Sequence, residues 1–562
     1  MAVPVWTTAL PDWEERLLSG SSLVPCPPLF PDYAARALSV FKELKIVDAP
    51  GQPKMGDVAR PWVFDFVSAI FGSYDSETGR QAIREFLLLV SKKNAKSTIA
   101  AGIMLTAIIL NWRHSAELFI LSPTKEIANN SFIPARDMIA ADDVLRDLFH
   151  VQEHLRVITH RKTKATLKVI AADNETVGGK KGSFVLVDEM WLFGKQQKAE
   201  SMLREALGGR ASRPEGFTVY LSTHSDEQPV GVWKQTLNDY RDIRDGKLVD
   251  PKRMGILYEF PQRMIDSGEY KLRKNFYITN PNLGASVDPE FLDEEYTKAE
   301  RNGAVSFAGF AAKHLNVEIG LGLRSDGWIG AEYWNAAAEP DVDLNFILTN
   351  SEVVVAGVDG GGLDDMLGLA VLGREAGNGR WMLWTHAWVH KIALERRKGE
   401  VSKWKDLETA GDLTVVENLG EDIEQIIEIV KRIEVADLFP EKNAIGLDQV
   451  GIGQLPNQLA LDGFEHPRVV AITQGWKLSG AIKTAERELA SMNLVHGGQP
   501  LMDYAVTNAK VEPKGNAVLV TKQVSGAAKI DPLMAMFNCI ALMNMNPTSA
   551  KKEYQAFFLN VA

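Results

Sequence analysis

Cysteine is scarce: Cys26 and Cys539 are the only two in 562 residues. Two thiols build neither a disulfide framework nor a four-ligand zinc site, which suits a reducing compartment and removes zinc-finger readings. Long apolar runs are also lacking. The longest, Ile99 to Leu110, covers about a dozen residues, where ~20 are needed to cross a bilayer. No basic stretch precedes an apolar one at the N-terminus, so the expectation is a chain that is neither secreted nor membrane-spanning. Positive charge is in deficit, with 62 Lys+Arg against 73 Asp+Glu and a net charge of -11. That balance argues against coating nucleic acid by bulk charge, while leaving room for local basic surfaces. Repeats and low-complexity tracts are missing, and a hydrophobic content of 45% excludes disorder, collagen and coiled coil. At roughly 150 residues per domain, the length predicts two to four domains.

The organisation is legible from periodicity. The first 55 residues, with Pro25, Pro27, Pro28 and Pro31 around Cys26 and a helical pattern from Tyr33 to Leu44, read as an N-terminal extension packed on the domain after it. Apolar strand-like runs then alternate with helical segments: Phe86 to Val90, Leu118 to Leu121, Phe184 to Val187 and Thr218 to Leu221. Such alternation predicts a mostly parallel α/β sheet in a domain over 56–325, with the more polar stretch 226–321 as a possible lid. Residues 326–348 are expected to be a linker. From 349 to 562 the order changes. Val353 to Val358, Leu367 to Leu372 and Trp381 to Thr385, the last two separated by Gly377-Asn378-Gly379, imply an antiparallel meander. An amphipathic helix carrying Ile423, Ile426, Ile427, Val430 and Ile433 comes next, then a strand at Ala444 to Leu447 and a C-terminal helix. That order, βββαβ and a helix, is the pattern of an RNase H-like domain.

Two constellations carry chemistry. The run Phe86 to Val90 leads into Ser91-Lys92-Lys93-Asn94-Ala95-Lys96-Ser97-Thr98 and at once into a helix. A strand, a short basic loop and a helix N-terminus place backbone N–H groups and a lysine where a phosphate needs them. Against the common phosphate-loop pattern, Val90 and Ala95 stand at the glycine positions; alone, the segment reads more readily as an exposed basic turn capping a core helix. The strand Phe184 to Val187 then ends in Asp188-Glu189, where one acid can serve Mg²⁺ and the next can orient the attacking water. A further strand ends in Ser222-Thr223, placed to couple hydrolysis to movement. Together these predict an NTPase.

The second constellation is acidic. Asp359 ends the first strand of the later block, Asp448 ends the fourth, and Asp531 stands before the C-terminal helix. In an RNase H-like sheet the first and fourth strands are neighbours, so three carboxylates meet. Three acids can bind two divalent ions, Mg²⁺ or Mn²⁺, for phosphodiester cleavage. Each acid has a plainer role available: Asp531 before Pro532 as a helix cap, Asp359 before Gly360-Gly361-Gly362 as a turn residue, Asp448 as a solvated strand end. Asp364 and Asp365 are nearby reserves, read as loop acids.

With both constellations in order, the chain resembles the large terminase subunit of tailed bacteriophages from about Arg60 to Leu542. The phrases that carry the resemblance are Arg60-Pro61-Trp62, VSKKNAKSTIAAG from Val90, VLVDEMWLFG from Val185, AGVDGGGLDD from Ala356, GLDQVGIG from Gly446 and KIDPLMAM from Lys529. The resemblance implies an N-terminal P-loop ATPase of the ASCE type and a C-terminal RNase H-like nuclease. It implies that double-stranded DNA is packaged into a procapsid and concatemers are cut. By position it implies Lys96 as the phosphate-binding lysine with a share for Lys92, Lys93, Asn94 and Thr98. Ser97 and Asp188 would serve the ATPase Mg²⁺, Glu189 would be the catalytic glutamate, and Asp359, Asp448 and Asp531 the nuclease ligands. A small terminase subunit, a portal protein and a homo-oligomeric ring of about five subunits are the implied partners, with work in the host cytoplasm, transiently docked on the procapsid portal. Val63 follows Pro61-Trp62 where many relatives carry a glutamine for adenine recognition.

Arg204, Arg210 and Arg213 are candidates for an arginine that reaches the transferring phosphoryl group of a neighbour, with surface ion pairs as their plainer role. The segments Arg161-Lys162-Thr163-Lys164, Lys271-Leu272-Arg273-Lys274 and Arg396-Arg397-Lys398 are candidate DNA-backbone contacts, and Lys522 and Lys529 flank the approach to Asp531. His496, Trp381, Trp384 and Trp388 read as packing residues. Two competing functions stay open on the residues alone: a repair or recombination helicase-nuclease, and a capsid-docking adaptor that no longer hydrolyses ATP.

Overall fold

In the computed structural model the described residues are 6–171, 182–196, 199–225, 228–318, 328–397, 400–448, 454–514, 517–522 and 529–550. Gln449 to Gly453, Lys398 and the side chains of Arg210 and Lys522 lie outside them. The chain divides into two compact units, residues 1–319 and 320–562. Among the described residues no helix is long and apolar enough to cross a membrane.

Unit 1 is built on an eight-stranded sheet. Its strands are β1 (Glu85–Leu89), β2 (Glu117–Ser122), β3 (Thr166–Ala171), β4 (Gly182–Val187), β5 (Thr218–Ser222) and β6 (Arg253–Leu257), with Val157–His160 and Phe149–Gln152 at one edge. The order is β6-β1-β5-β4-β2-β3 and then the edge pair. All six labelled strands run parallel. Only the edge pair is antiparallel. The insertion of β5 between β1 and β4 is the arrangement expected of an ASCE sheet. Strands buried on both faces need continuous apolar runs, and Phe86 to Leu89 and Val185 to Val187 are all inaccessible to solvent. Helix α1 (Lys96–Leu110) is apolar around its circumference and correspondingly buried from Ile99 to Ile108.

The described part of the N-terminal segment lies against the sheet domain, and one expectation for this unit changes. The helix Pro31–Glu43 packs so closely on α1 that a Cβ on Gly102 would lie 2.6 Å from the Phe41 ring. The stretch 226–321 is not wholly a lid. It opens with helix α2 (Gly231–Arg244) and contributes β6, paired in register with β1. Toward its end, α3 (Pro289–Arg301) and α4 (Ala304–His314) form a helical hairpin around Tyr296 and Phe310; its Lys313 carbonyl accepts from Lys92 N of the basic loop at 2.8 Å.

Unit 2 carries β7 (Ser351–Gly360), β8 (Met366–Glu375), β9 (Trp381–His390), β10 (Leu413–Val416), β11 (Ile445–Asp448) and β12 (Val469–Ile472) in the order β10-β9-β8-β7-β11-β12. The first three form the antiparallel meander, and β11 returns parallel to β7. This is RNase H-like topology. Helix α5 (Glu421–Val435) covers one face through Ile426, Ile427, Val430 and Ile433. Helix α6 (Asp531–Met543) covers the other. The approach of α6 is set by glycine. A Cβ on Gly357 of β7 would lie 2.3 Å from the Ala535 carbonyl, and one on Gly368 of β8 would lie 2.8 Å from the Asp531 backbone.

The expected linker is corrected as well. Its described residues include Trp328 and Trp334, both buried in the core of unit 2, and the helix Leu344–Asn350. Trp334 stacks on His496 at 3.9 Å, which accounts for that histidine as a packing residue. Trp388 is buried as expected, while Trp381 and Trp384 are only partly covered.

Candidate active sites

The phosphate loop sits between β1 and α1. It turns through two left-handed residues, Lys93 (φ 70) and Ala95 (φ 57). Left-handed backbone costs a non-glycine residue about 1–2 kcal/mol, so something must over-determine it. Asn94 does so. Its side chain is fully buried and donates to the Ser91 and Asn280 oxygens at 3.1 and 2.9 Å, while its own Oδ1 accepts from Asn282 N at 3.0 Å. Asn282 returns a bond to the Asn94 carbonyl at 3.1 Å and accepts from Trp62 Nε1 at 2.9 Å. The Asn94 side chain thus shapes the loop from behind and is not among the residues that line the cavity.

That cavity, about 880 Å³, is lined by Lys92, Lys93, Ala95, Lys96, Ser97, Thr98 and Glu189 at its polar end. Lys96 is buried, which pulls its pKa down; the Glu189 and Asp188 carboxylates oppose this. Its Nζ donates to the Val90 carbonyl at 3.2 Å. The two acids leave β4 side by side in unlike environments. Asp188 is buried, and loss of solvent, together with the charge of Glu189, raises its pKa to about 6. Ser131 Oγ donates to its Oδ2 at 2.7 Å. Glu189 takes a left-handed backbone (φ 52) and accepts from Trp191 Nε1 at 2.6 Å. One acid is held in the sheet as a metal-ligand candidate; the other is turned out toward the cavity.

Ser222 ends β5 beside Leu89 of β1 and accepts from Trp191 N at 3.2 Å. The coupling candidates Ser222 and Thr223 are therefore buried between the phosphate loop strand and the Walker B segment. The rest of the lining is mainly apolar, with Ile46, Pro50, Pro53, Met55, Val58 and Val63 beside the single carboxylate of Asp48. Most of that lining comes from residues expected to be peripheral, and Val63 lies in it where a glutamine was the alternative.

In unit 2, Val358 of β7 is paired with Leu447 of β11, so Asp359 and Asp448 end adjacent strands on one edge. Asp531 reaches the same place from α6. Its Oδ1 would lie 2.8 Å from a Cβ on Gly360, the residue after Asp359, and Gly360 has φ +86. Asp531 is not the helix cap expected of an Asp-Pro start. It is the first helical residue, and Ile530 holds the cap position. Asp359 is buried, and Asp448 Oδ1 is buried without a hydrogen-bond partner. An unpaired carboxylate oxygen among oxygen ligands suits a hard divalent cation such as Mg²⁺. Among the described residues, however, no three His, Cys, Asp or Glu side chains close into a ready-made metal cage. The edge gathers the three acids without closing them into such a cage.

Several basic residues are committed elsewhere. Lys529 is buried and ion-paired with Asp365, so it does not offer a DNA contact. Asp365 is its counter-ion and no reserve ligand. Arg273 pairs with Asp293 and covers the Tyr296 ring, Arg161 donates to the Phe149 carbonyl, and Arg397 donates to the Asp364 carbonyl. Exposed Lys162, Lys164, Lys274 and Arg396 remain at those segments. Arg204 makes the surface pair, with Glu200, and Arg213 braces the Ser212 carbonyl.

Comparison with known proteins bears on both units. The sequence model of the terminase large subunit ATPase domain matches residues 61–232, and that of the terminase large subunit endonuclease domain matches 257–546. The chain belongs to the terminase large subunit family. It is 21% identical over 477 residues to the terminase large subunit of Lactococcus phage p2, covering 81% of each chain. To that of Lactococcus phage SK1 it is 20% identical over 479 residues, again 81% of each. The large terminase of bacteriophage HK97 aligns in structure over 90% of this chain and 99% of its own, with 19% identity and a TM-score of 0.45. The ATPase and endonuclease of this terminase are therefore two domains of one DNA-packaging chain.

Ser131, Trp191, Asn280, Asn282 and the mainly apolar lining at 46–63 were not found by reading the sequence. Trp191 had a signal, since it stands two residues after the catalytic-glutamate candidate. The asparagines had none, because each meets Asn94 only through the fold.

Proposed function

We propose that the ATPase unit binds ATP with Lys96, Lys92, Lys93 and Thr98 at the phosphates, Ser97 and Asp188 serving Mg²⁺, and Glu189 orienting the attacking water. The observation that carries this reading is the strand order that sets Asp188-Glu189 beside the Ser222 strand and the phosphate loop. Closure around the nucleotide moves Ser222-Thr223 and the α3–α4 hairpin, and that motion drives double-stranded DNA. In the nuclease unit Asp359, Asp448 and Asp531 hold one or two Mg²⁺ or Mn²⁺ ions, which activate water and stabilise the leaving oxygen when bound. The enzyme cuts concatemers before and after packaging.

The working form is a homo-oligomeric ring of about five subunits, by resemblance to the family, docked on the procapsid portal in the host cytoplasm. A small terminase subunit selects the DNA. The net charge of -11 supports release of DNA at every step over tight sequence-specific holding. Triplex displacement tests the motor: ATP should drive the third strand off a duplex without separating the duplex. Unwinding of a forked duplex would instead favour a helicase, and no ATP turnover with DNA and portal present would favour a docking adaptor.

A further inference from the structure

Beside the nuclease carboxylates lies a pair of amides to which neither constellation assigns a task. Gln474 comes just after β12, whose Ile472 is paired with Asp448, so the chain leaves the sheet on the edge where the acids end. Gln474 Nε2 donates to Asp359 Oδ1 at 3.3 Å and to Asn538 Oδ1 at 3.1 Å. Asn538 is fully buried on α6, two helical turns beyond Asp531 and on the same face. Its Nδ2 donates to the Val358 carbonyl at 3.0 Å.

That last bond fixes the direction of the others. A backbone carbonyl only accepts, so Asn538 must turn its N–H₂ to Val358 and its oxygen to Gln474. Gln474 is then obliged to present Nε2, not Oε1, to both Asn538 and Asp359. Its Oε1 is left buried without a hydrogen-bond partner. A lone buried amide oxygen needs an explanation, and fixing the neighbouring carboxylate supplies one.

We propose that Gln474, keyed by Asn538, is a positioning residue of the nuclease that holds the Asp359 carboxylate by Oδ1 in the rotamer from which it binds a divalent cation. The proposal rests on the nuclease reading of Asp359. Residues that hold a ligating carboxylate tune metal affinity by about tenfold or more, and at 3.3 Å the low end applies.

The test is Mn²⁺ titration of the full chain, with Gln474→Met to remove the amide at similar volume and Gln474→Ala as a second variant. Melting temperature and ATP turnover report on the fold. Mn²⁺ affinity should fall about tenfold, with kcat for plasmid cutting reduced and KM for the plasmid unchanged. In an Asp359→Asn background, Gln474→Met should weaken Mn²⁺ binding no further. Wild-type Mn²⁺ affinity in Gln474→Met, or equal weakening in both backgrounds, overturns the proposal. If Asp359→Asn itself keeps wild-type Mn²⁺ binding and cutting, the nuclease reading beneath it falls instead.

Discussion

Asp188 should be a residue that activity needs and stability does not. Its pKa rises from the ordinary 3.8 to about 6 because burial disfavours the carboxylate and Glu189 adds a second negative charge. At about 1.4 kcal/mol per unit, holding the ionised form in the folded chain costs about 3 kcal/mol at pH 7. The sign is set by a folded-state pKa above the unfolded one. Below pH 3.8 the cost is absent, it grows as the pH rises toward about 6, and it is constant above that. Asp188→Asn removes the charge and leaves an oxygen to accept from Ser131 Oγ or Glu189 N, the present donors at 2.7 and 3.0 Å.

Part of the gain is offset, since Asp188 helps keep buried Lys96 charged, although Glu189 contributes more. A net stabilisation of about 1–2 kcal/mol at pH 7 is expected, or about 2–6 °C in the melting of the ATPase unit, with ATP turnover abolished. At about pH 4.5 the advantage should shrink below half. The assay is thermal unfolding of wild type and variant, without nucleotide, at both pH values. A variant that melts below wild type at pH 7, or by the same margin above it at both, would refute the electrostatic reasoning.

Three other outcomes are set by the geometry. Asn94→Ala removes bonds to Ser91, Asn280 and Asn282 and should destabilise unit 1 by about 2–4 kcal/mol while raising KM for ATP; urea unfolding and steady-state turnover check it. Val63, which lines the cavity, has no side-chain donor or acceptor to stand in for a glutamine, so GTP should be hydrolysed within about tenfold of ATP, read from kcat/KM for the two nucleotides. Gly360→Ala puts a methyl 2.2 Å from the Met366 carbonyl and 2.8 Å from Asp531 Oδ1 at a φ of +86. Plasmid cutting should be lost, with ATP turnover intact.

What could be read in advance was whatever the chain places at a strand end. Asp188, Glu189, Asp359 and Asp448 each come after an apolar run, so the sheet itself brings them to an edge. Features made by distant pairings were hidden. The Asn94–Asn280–Asn282–Trp62 network joins residues up to 220 positions apart, and the mainly apolar cavity lining comes from a proline-containing stretch, Ile46 to Met55, with no periodicity. Asp531-Pro532 looked like a cap because that dipeptide usually starts a helix from outside; close packing over Gly360 and Gly368 draws Asp531 into the first turn. Lys529 looked free because Asp365 is 164 positions away. The polar stretch after residue 226 concealed β6, a five-residue strand identified by its pairing with β1.

The central claim is that one chain carries two separable catalytic centres, with cutting assigned to Asp359. The direct measurement is Mn²⁺-dependent plasmid cleavage and ATP turnover on the same preparation of Asp359→Ala. Loss of cutting with wild-type ATP turnover is the predicted result. Retained cutting, or loss of both activities in a chain that melts as wild type does, would contradict it.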